Sequence, residues 1–153
     1  MAQGTVTMFE EFLGTIGLGE FNLNTDEYRI GIITSANAPI ANDPDPGWHA
    51  SRTTNFLATE VTPGGNYSTG GTDITNIFSE AAGVATFDAA DLLPYVAQNA
   101  SNATDARWGI LYNNTDADKK AIGFLDFGSV FDMTTGDLNI TWNGSGIFTW
   151  TLS

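Results

Sequence analysis

Residues 121–152 constrain this chain more than any other stretch, because their side chains alternate. AIGFLDFG (Ala121–Gly128), LNITW (Leu138–Trp142) and IFTWTL (Ile147–Leu152) read as three β-strands. A strand sends successive side chains to opposite faces. Leu138, Ile140 and Trp142 therefore share one face, with Asn139 and Thr141 on the other. Phe148, Trp150 and Leu152 share a face against Thr149 and Thr151. Asn143-Gly144-Ser145-Gly146 stands between the last two runs, and an Asn-Gly step there predicts a hairpin. Carboxylates are the only potentially catalytic groups in the stretch.

Upstream the same logic applies. Glu27–Ala36 (EYRIGIITSA) reads as a strand, and its adjacent Ile32 and Ile33 imply burial on both faces. Asp73–Phe78, Gly83–Asp88 and Arg107–Tyr112 read as further strands. Ala38–Trp48 holds three of the five prolines and reads as a loop, since proline lacks the N–H a ladder needs. Thr54–Ala58 and Asp88–Tyr95 read as helical turns, the second stopping before Pro94. Gln98–Asp105 reads as a polar loop and Asn113–Lys120 as a long turn. Within Thr5–Gly19, Met8, Phe9, Phe12, Leu13 and Ile16 fall at helical spacing, with Thr7 and Glu10 placed as a capping box. Gly14, Gly17 and Gly19 end that helix early. The expected architecture is one mainly β domain over residues 1–153. It would be an antiparallel β-sandwich or a jelly-roll-like barrel, with a short N-terminal helical segment at 1–19. At 153 residues such a domain buries roughly 70% of its unfolded surface without staples.

Composition then excludes functions. There is no cysteine, hence no disulfide framework, thiolate metal site or thiol nucleophile. Eighteen acids face five bases, a net charge of −13, which repels nucleic-acid backbones and anionic lipid surfaces. No apolar run approaches the ~18 residues that span a bilayer. The start, MAQGTVTMFEEF, lacks the basic and apolar regions of a secretory leader, so none is expected.

Candidate chemistry is sparse. His49 is the only histidine, in a Trp-His-Ala loop with no Gly-x-Ser-x-Gly context for a nucleophile. Asp43/Asp45, Asp116/Asp118 and Glu10/Glu11 could pair for glycoside hydrolysis, yet all read as turn or helix-surface acids. Asp126, between two phenylalanines, reads as the solvated face of a one-sided sheet. Asn42–Asp45 and Asn114–Asp118 alternate oxygen ligands as a calcium loop does, but neither has EF-hand spacing, and Asx turns look the same in sequence. VTPGGNYSTGG (Val61–Gly71) lacks the Lys-Ser/Thr of a phosphate loop. Asn66, Asn99, Asn102, Asn113, Asn139 and Asn143 head Asn-x-Ser/Thr triplets, which the Asn- and Thr-rich composition explains. The expectation is no enzyme, no catalytic residue, no metal and no cofactor.

The order of motifs carries a resemblance. An N-terminal helix is followed by EYRIGIITSANAP (Glu27–Pro39), PGGNYSTGG (Pro63–Gly71), VATFDAADL (Val84–Leu92), WGILYNNT (Trp108–Thr115) and AIGFLDFG (Ala121–Gly128). GDLNITWNGSGIFTWTL (Gly136–Leu152) closes the series. This order resembles a family of small virion proteins of tailed bacteriophages. The chain departs from it at Asn66, which intrudes between the glycines and Tyr67, and in a long Ala89–Thr104 segment. The resemblance implies a structural virion protein, foremost a capsid decoration or cement protein bound outside the major capsid shell as a homotrimer or homodimer. It would assemble in the bacterial host cytoplasm, with no nucleic-acid or membrane partner. Val6–Leu18 and Ala38–Trp48 are the expected contact surfaces, or else they pack over the open end of the sandwich. The alternative within the class is a tail fibre, tail knob or head-to-tail adaptor. There Trp48, Tyr67 and Trp108 would stack on a glycan. A secreted carbohydrate-binding or hydrolytic domain is the third reading.

Overall fold

A computed structural model describes residues 2–151. In chain order the elements begin β1 (Ala2–Gly4), β2 (Val6–Met8), α1 (Glu11–Gly17), β3 (Tyr28–Ile33), β4 (Pro46–Gly47) and β5 (Thr54–Asn55). A 3₁₀ turn (Phe56–Thr59), β6 (Thr72–Asp73), β7 (Asn76–Ala81), β8 (Val84–Ala89) and β9 (Leu92–Val96) follow. β10 (Ala106–Asn113), β11 (Ala121–Phe131), β12 (Leu138–Trp142) and β13 (Phe148–Thr151) complete the series. The protein is mainly β, 44% strand against 7% helix, as its alternation predicts.

The central sheet runs β2-β11-β10-β3-β6, with every neighbour antiparallel. Two three-stranded sheets, β1-β12-β9 and β13-β8-β7, lie apart from it, and β4 and β5 form a small parallel pair. Among the described residues all four sheets keep open edges, which is consistent with a sandwich rather than a closed barrel. One core joins the layers: Tyr28, Ile30 and Ile32 of β3 meet Phe87, Tyr95, Leu138, Ile140 and Trp142. The opposite face of the central sheet is also covered. There Ile33, Ile110, Tyr112 and Phe124 meet Phe9, Trp48 and Phe56. A strand sandwiched on both sides must be apolar at successive positions, which is why Ile32 and Ile33 stand together.

Trp48 reaches that second core because Gly31 opposes it. A Cβ on Gly31 would overlap the indole ring. Gly71 serves a similar close approach at φ +74°, where a Cβ would fall on the Ile30 carbonyl oxygen.

Four local expectations are corrected. Val6–Met8 is a strand on the edge of the central sheet, so helix starts only at Glu11. The Thr7–Glu10 capping box does not form, since Glu10 occupies the N-cap with no side-chain bond. Local spacing could not separate the two states, and pairing with β11 decided for strand. Second, β12 and β13 do not form a hairpin: β12 pairs with β1 and β9, whereas β13 pairs with β8. The Asn143–Gly146 turn carries the chain between sheets. Third, Asp88–Tyr95, expected as a helical turn, is strand at both ends: β8 runs to Ala89, and β9 starts at Leu92 and pairs with β12. Fourth, the strand expected over Asp73–Phe78 is broken at Thr75, which has φ +52°. The 3₁₀ turn falls at Phe56–Thr59, close to the turn expected from Thr54. The expected faces hold for Leu138, Ile140 and Trp142, which are buried, and for Phe148 and Trp150, which are half-buried. Leu152 lies outside the described residues.

Candidate interaction surface

The fold brings His49, Ser51 and Asp118 together, but in the wrong order for nucleophilic catalysis. His49 Nδ1 accepts the Ser51 backbone N–H at 3.2 Å and lies 2.8 Å from Ser51 Oγ. Ser51 Oγ then donates to Asp118 Oδ1 at 3.3 Å. A triad needs the histidine between the serine and the carboxylate. Here the serine sits in the middle, on the surface, and the carboxylate does not orient the imidazole.

The paired aspartates and Glu11 serve turns and ion pairs. Asp43 accepts the Ile40 N–H at 2.9 Å. Asp45 holds Arg52 and the Thr53 N–H, while its own N–H donates to Glu11 Oε1. Asp116 pairs with Lys120 at 3.1 Å and accepts the Asp118 N–H. These are the hydrogen bonds that favour Asx residues in turns. No three acids or histidines among the described residues converge on a point that could hold a metal ion. Asp126 is exposed as expected, though not on a one-sided sheet: the central sheet is covered on both faces, and β11 is exposed or half-buried from Asp126 to Phe131. The Arg107 guanidinium, by hydrogen bonding to its carboxylate, holds it below the usual carboxylate range. Arg107 also lies 3.9 Å over the Trp108 ring, a cation–π contact.

The expected glycan platform does not assemble. Trp48 and Tyr67 are buried in the core, which leaves Trp108 half-buried and alone. Tyr67 instead anchors the Gly-rich loop. Its hydroxyl donates to Glu60 Oε1 at 2.9 Å and accepts the Ile32 N–H at 2.9 Å. Glu60 also takes the Gly70 N–H, and Tyr112 donates to the Gly70 carbonyl at 2.7 Å. Desolvation by burial pushes the Tyr67, Tyr95 and Tyr112 phenols well above their usual range. Two Asn-x-Ser/Thr positions, Asn102 and Asn113, are closed off as buried side chains bonded to neighbours.

What remains available is apolar. Phe12 of α1 is in the core, but Leu13 and Leu18 are 67% and 77% exposed. Glu10 N–H donates to the Ala41 carbonyl at 2.8 Å, which ties the proline-rich loop to the start of the helix. That loop buries Pro39, Pro46 and Trp48 while leaving Ile40 56% exposed. Both expected contact segments therefore divide their residues between core and surface. Val6–Leu18 is not a detachable arm: it contributes β2, Phe9 and Phe12 to the body of the protein.

Beside α1 runs a feature that the sequence reading missed. A cleft of about 320 Å³ opens between the helix and β13, walled by Met8, Phe12, Leu13, Phe148 and Trp150. Phe12 meets Phe148 edge-on at 5.3 Å, and Phe148 stacks on Phe87 at 4.9 Å. The available signal was a terminal run, FTWT, whose alternation was clear but whose expected partner was the wrong strand. No helix among the described residues is long and apolar enough to cross a membrane. No protein-family profile, curated protein or solved structure matches the chain.

Proposed function

We propose that the chain is a non-catalytic structural component of a bacteriophage virion, a decoration or cement protein bound to the outside of the major capsid shell. The observation that carries this reading is the division of labour on its surface. Its histidine and paired aspartates are engaged in turns and ion pairs, while Leu13 and Leu18 of one helix and Ile40 of the loop tied to its start stand exposed. Exposed large aliphatics beside one helix support contact with another macromolecule there, while Ile77, Leu93 and Val130 stand exposed on other strands. The ordered motif resemblance supplies the kind of assembly. Binding that prefers the expanded shell stabilises it by the difference in affinity for the two states. Repetition over a lattice, with the protein itself a dimer or trimer, turns weak single contacts into firm attachment.

The test is a quantitative gel of purified particles together with a shell-binding assay. Hundreds of copies per particle are expected, and Leu13→Asp with Leu18→Asp should abolish binding of added protein to expanded shells. Both side chains are solvent-facing, so the variant keeps its fold, which circular dichroism checks. A handful of copies per particle would overturn the decoration reading in favour of a tail component.

A further inference from the structure

β13 lies at the edge of its sheet, and the flank away from β8 pairs with no strand among the described residues. Unpaired edges template the addition of further strands, and proteins normally guard them with charge, proline or brevity. The other outer strands here carry such guards. β1 and β2 have three residues each, β6 has two with Asp73, β7 carries Glu80 and β9 carries Pro94. β13 reads Phe-Thr-Trp-Thr, four residues with neither charge nor proline, so of these guards it has only its shortness.

The surroundings of this edge are shaped. Trp150 lines the apolar cleft against α1 and also a second of about 280 Å³, which Ala85 and Thr151 line too. A third, of about 260 Å³, continues past Thr149 and Ile147 to Ser145 and Val6. Phe148, Thr149 and Trp150 between them line all three, so the clefts follow the strand.

Charge selects the occupant. Glu10 lines the first cleft and Glu80 the second. No base lies on α1, β2, β7, β8 or β13. All five bases are engaged elsewhere: Arg29 with Glu27, Arg52 with Asp45, Arg107 with Asp126, Lys120 with Glu20 and Asp116, and Lys119 with the Asn114 carbonyl. Glu10 and Glu80 thus have no cation partner among the described residues. A second copy adding its own β13 would bring no cation to Glu10 or Glu80, because that strand has none.

We infer that the free edge of β13 accepts an extended apolar segment of a partner protein, flanked by lysine or arginine. The segment adds as a strand by main-chain hydrogen bonds. Alternate side chains enter the clefts beside Trp150, and the flanking cations meet Glu10 and Glu80. This goes beyond the decoration reading and holds for whichever assembly supplies the segment.

The test uses the full chain and three synthetic peptides: Lys-Val-Thr-Val-Thr-Val-Lys, its glutamate-flanked twin, and the lysine peptide N-methylated at alternate amides. Titration calorimetry should show saturable binding of the lysine peptide, about tenfold or more tighter than the glutamate twin. Binding should weaken with added salt and vanish on N-methylation, because a blocked amide cannot join the ladder. Thr149→Lys places a guarding charge on the exposed face of the edge strand. It should weaken the lysine peptide about tenfold or more, while Thr62→Lys, at an exposed site elsewhere, leaves it unchanged. No saturable binding, equal binding of the two charged peptides, or indifference to N-methylation or to Thr149→Lys would each overturn the inference. So would light scattering that shows a dimer dissolved by Thr149→Lys, since the edge would then belong to a second copy.

Discussion

Trp48 lies flat on Tyr112, with ring centroids 5.3 Å apart and planes 5° from parallel. The stack locks the proline-rich loop onto the central sheet, and Gly31 makes the room for it.

Gly31→Ala should therefore destabilise the fold. The added methyl overlaps the indole, and both neighbours are fixed in a packed layer. Overpacking of this kind costs about 1–3 kcal/mol. Urea denaturation should show a lower midpoint at unchanged slope; an unchanged midpoint would mean that the loop yields freely.

All four tyrosines of the chain have phenols pushed up, each chiefly by burial, with Tyr28 raised further by the charge of Asp26. The folded state thus holds them neutral above the unfolded value of about 10. The stability that depends on this is complete below about pH 10 and is lost as pH rises beyond it. A spectrophotometric alkaline titration should show almost no phenolate until the protein unfolds, and then all four together. A tyrosine that titrates near its ordinary value in the folded protein would contradict this.

Asp126 works in the opposite direction. Its depressed pKa means that its pair with Arg107 contributes above about pH 4, the unfolded value, and is lost as pH falls through the folded one. The carboxylate is 51% exposed, so solvent screens the pair. Asp126→Asn should cost less than about 1 kcal/mol at neutral pH. The difference from the wild type should shrink in thermal melts at acid pH, and in high salt.

Trp142 occupies the core with 6% of its surface exposed, and its indole N–H donates to the Ala90 carbonyl at 3.0 Å. Trp142→Ala should destabilise by about 3–5 kcal/mol, because the fold cannot close the resulting void. Chemical denaturation is the check, and a loss under about 1 kcal/mol would place the residue outside the core.

The sequence was readable where a face is set locally and opaque where a partner is set remotely. Alternation alone placed Leu138, Ile140 and Trp142 inside, and doubled isoleucines placed β3 between two layers. Asp126 was correctly read as solvated. Turn chemistry at Asn143–Gly146 correctly marked a change of direction but could not say which strand each neighbour would join. Val6–Met8 carries both a helical and a strand period, and only its ladder with β11 separates them. Trp48 and Tyr67 looked like exposed aromatics because loops are usually outside. Their burial depends on Gly31 and Glu60, contacts that local pattern does not record. The β13 edge and its clefts were hidden for the same reason, since they exist only once β13 has joined β8.

β1 runs parallel to β12, pairing Ala2 with Ile140, and β2 pairs with β11 through Val6 and Leu125. On the ribosome, β1 and β2 therefore emerge long before their partner strands exist for them to bond. They wait, unpaired and partly apolar, until well over a hundred residues have followed. Such remote pairing slows folding and leaves an adhesive strand in the open meanwhile. The cell that makes this protein must tolerate, or shield, that interval in every copy.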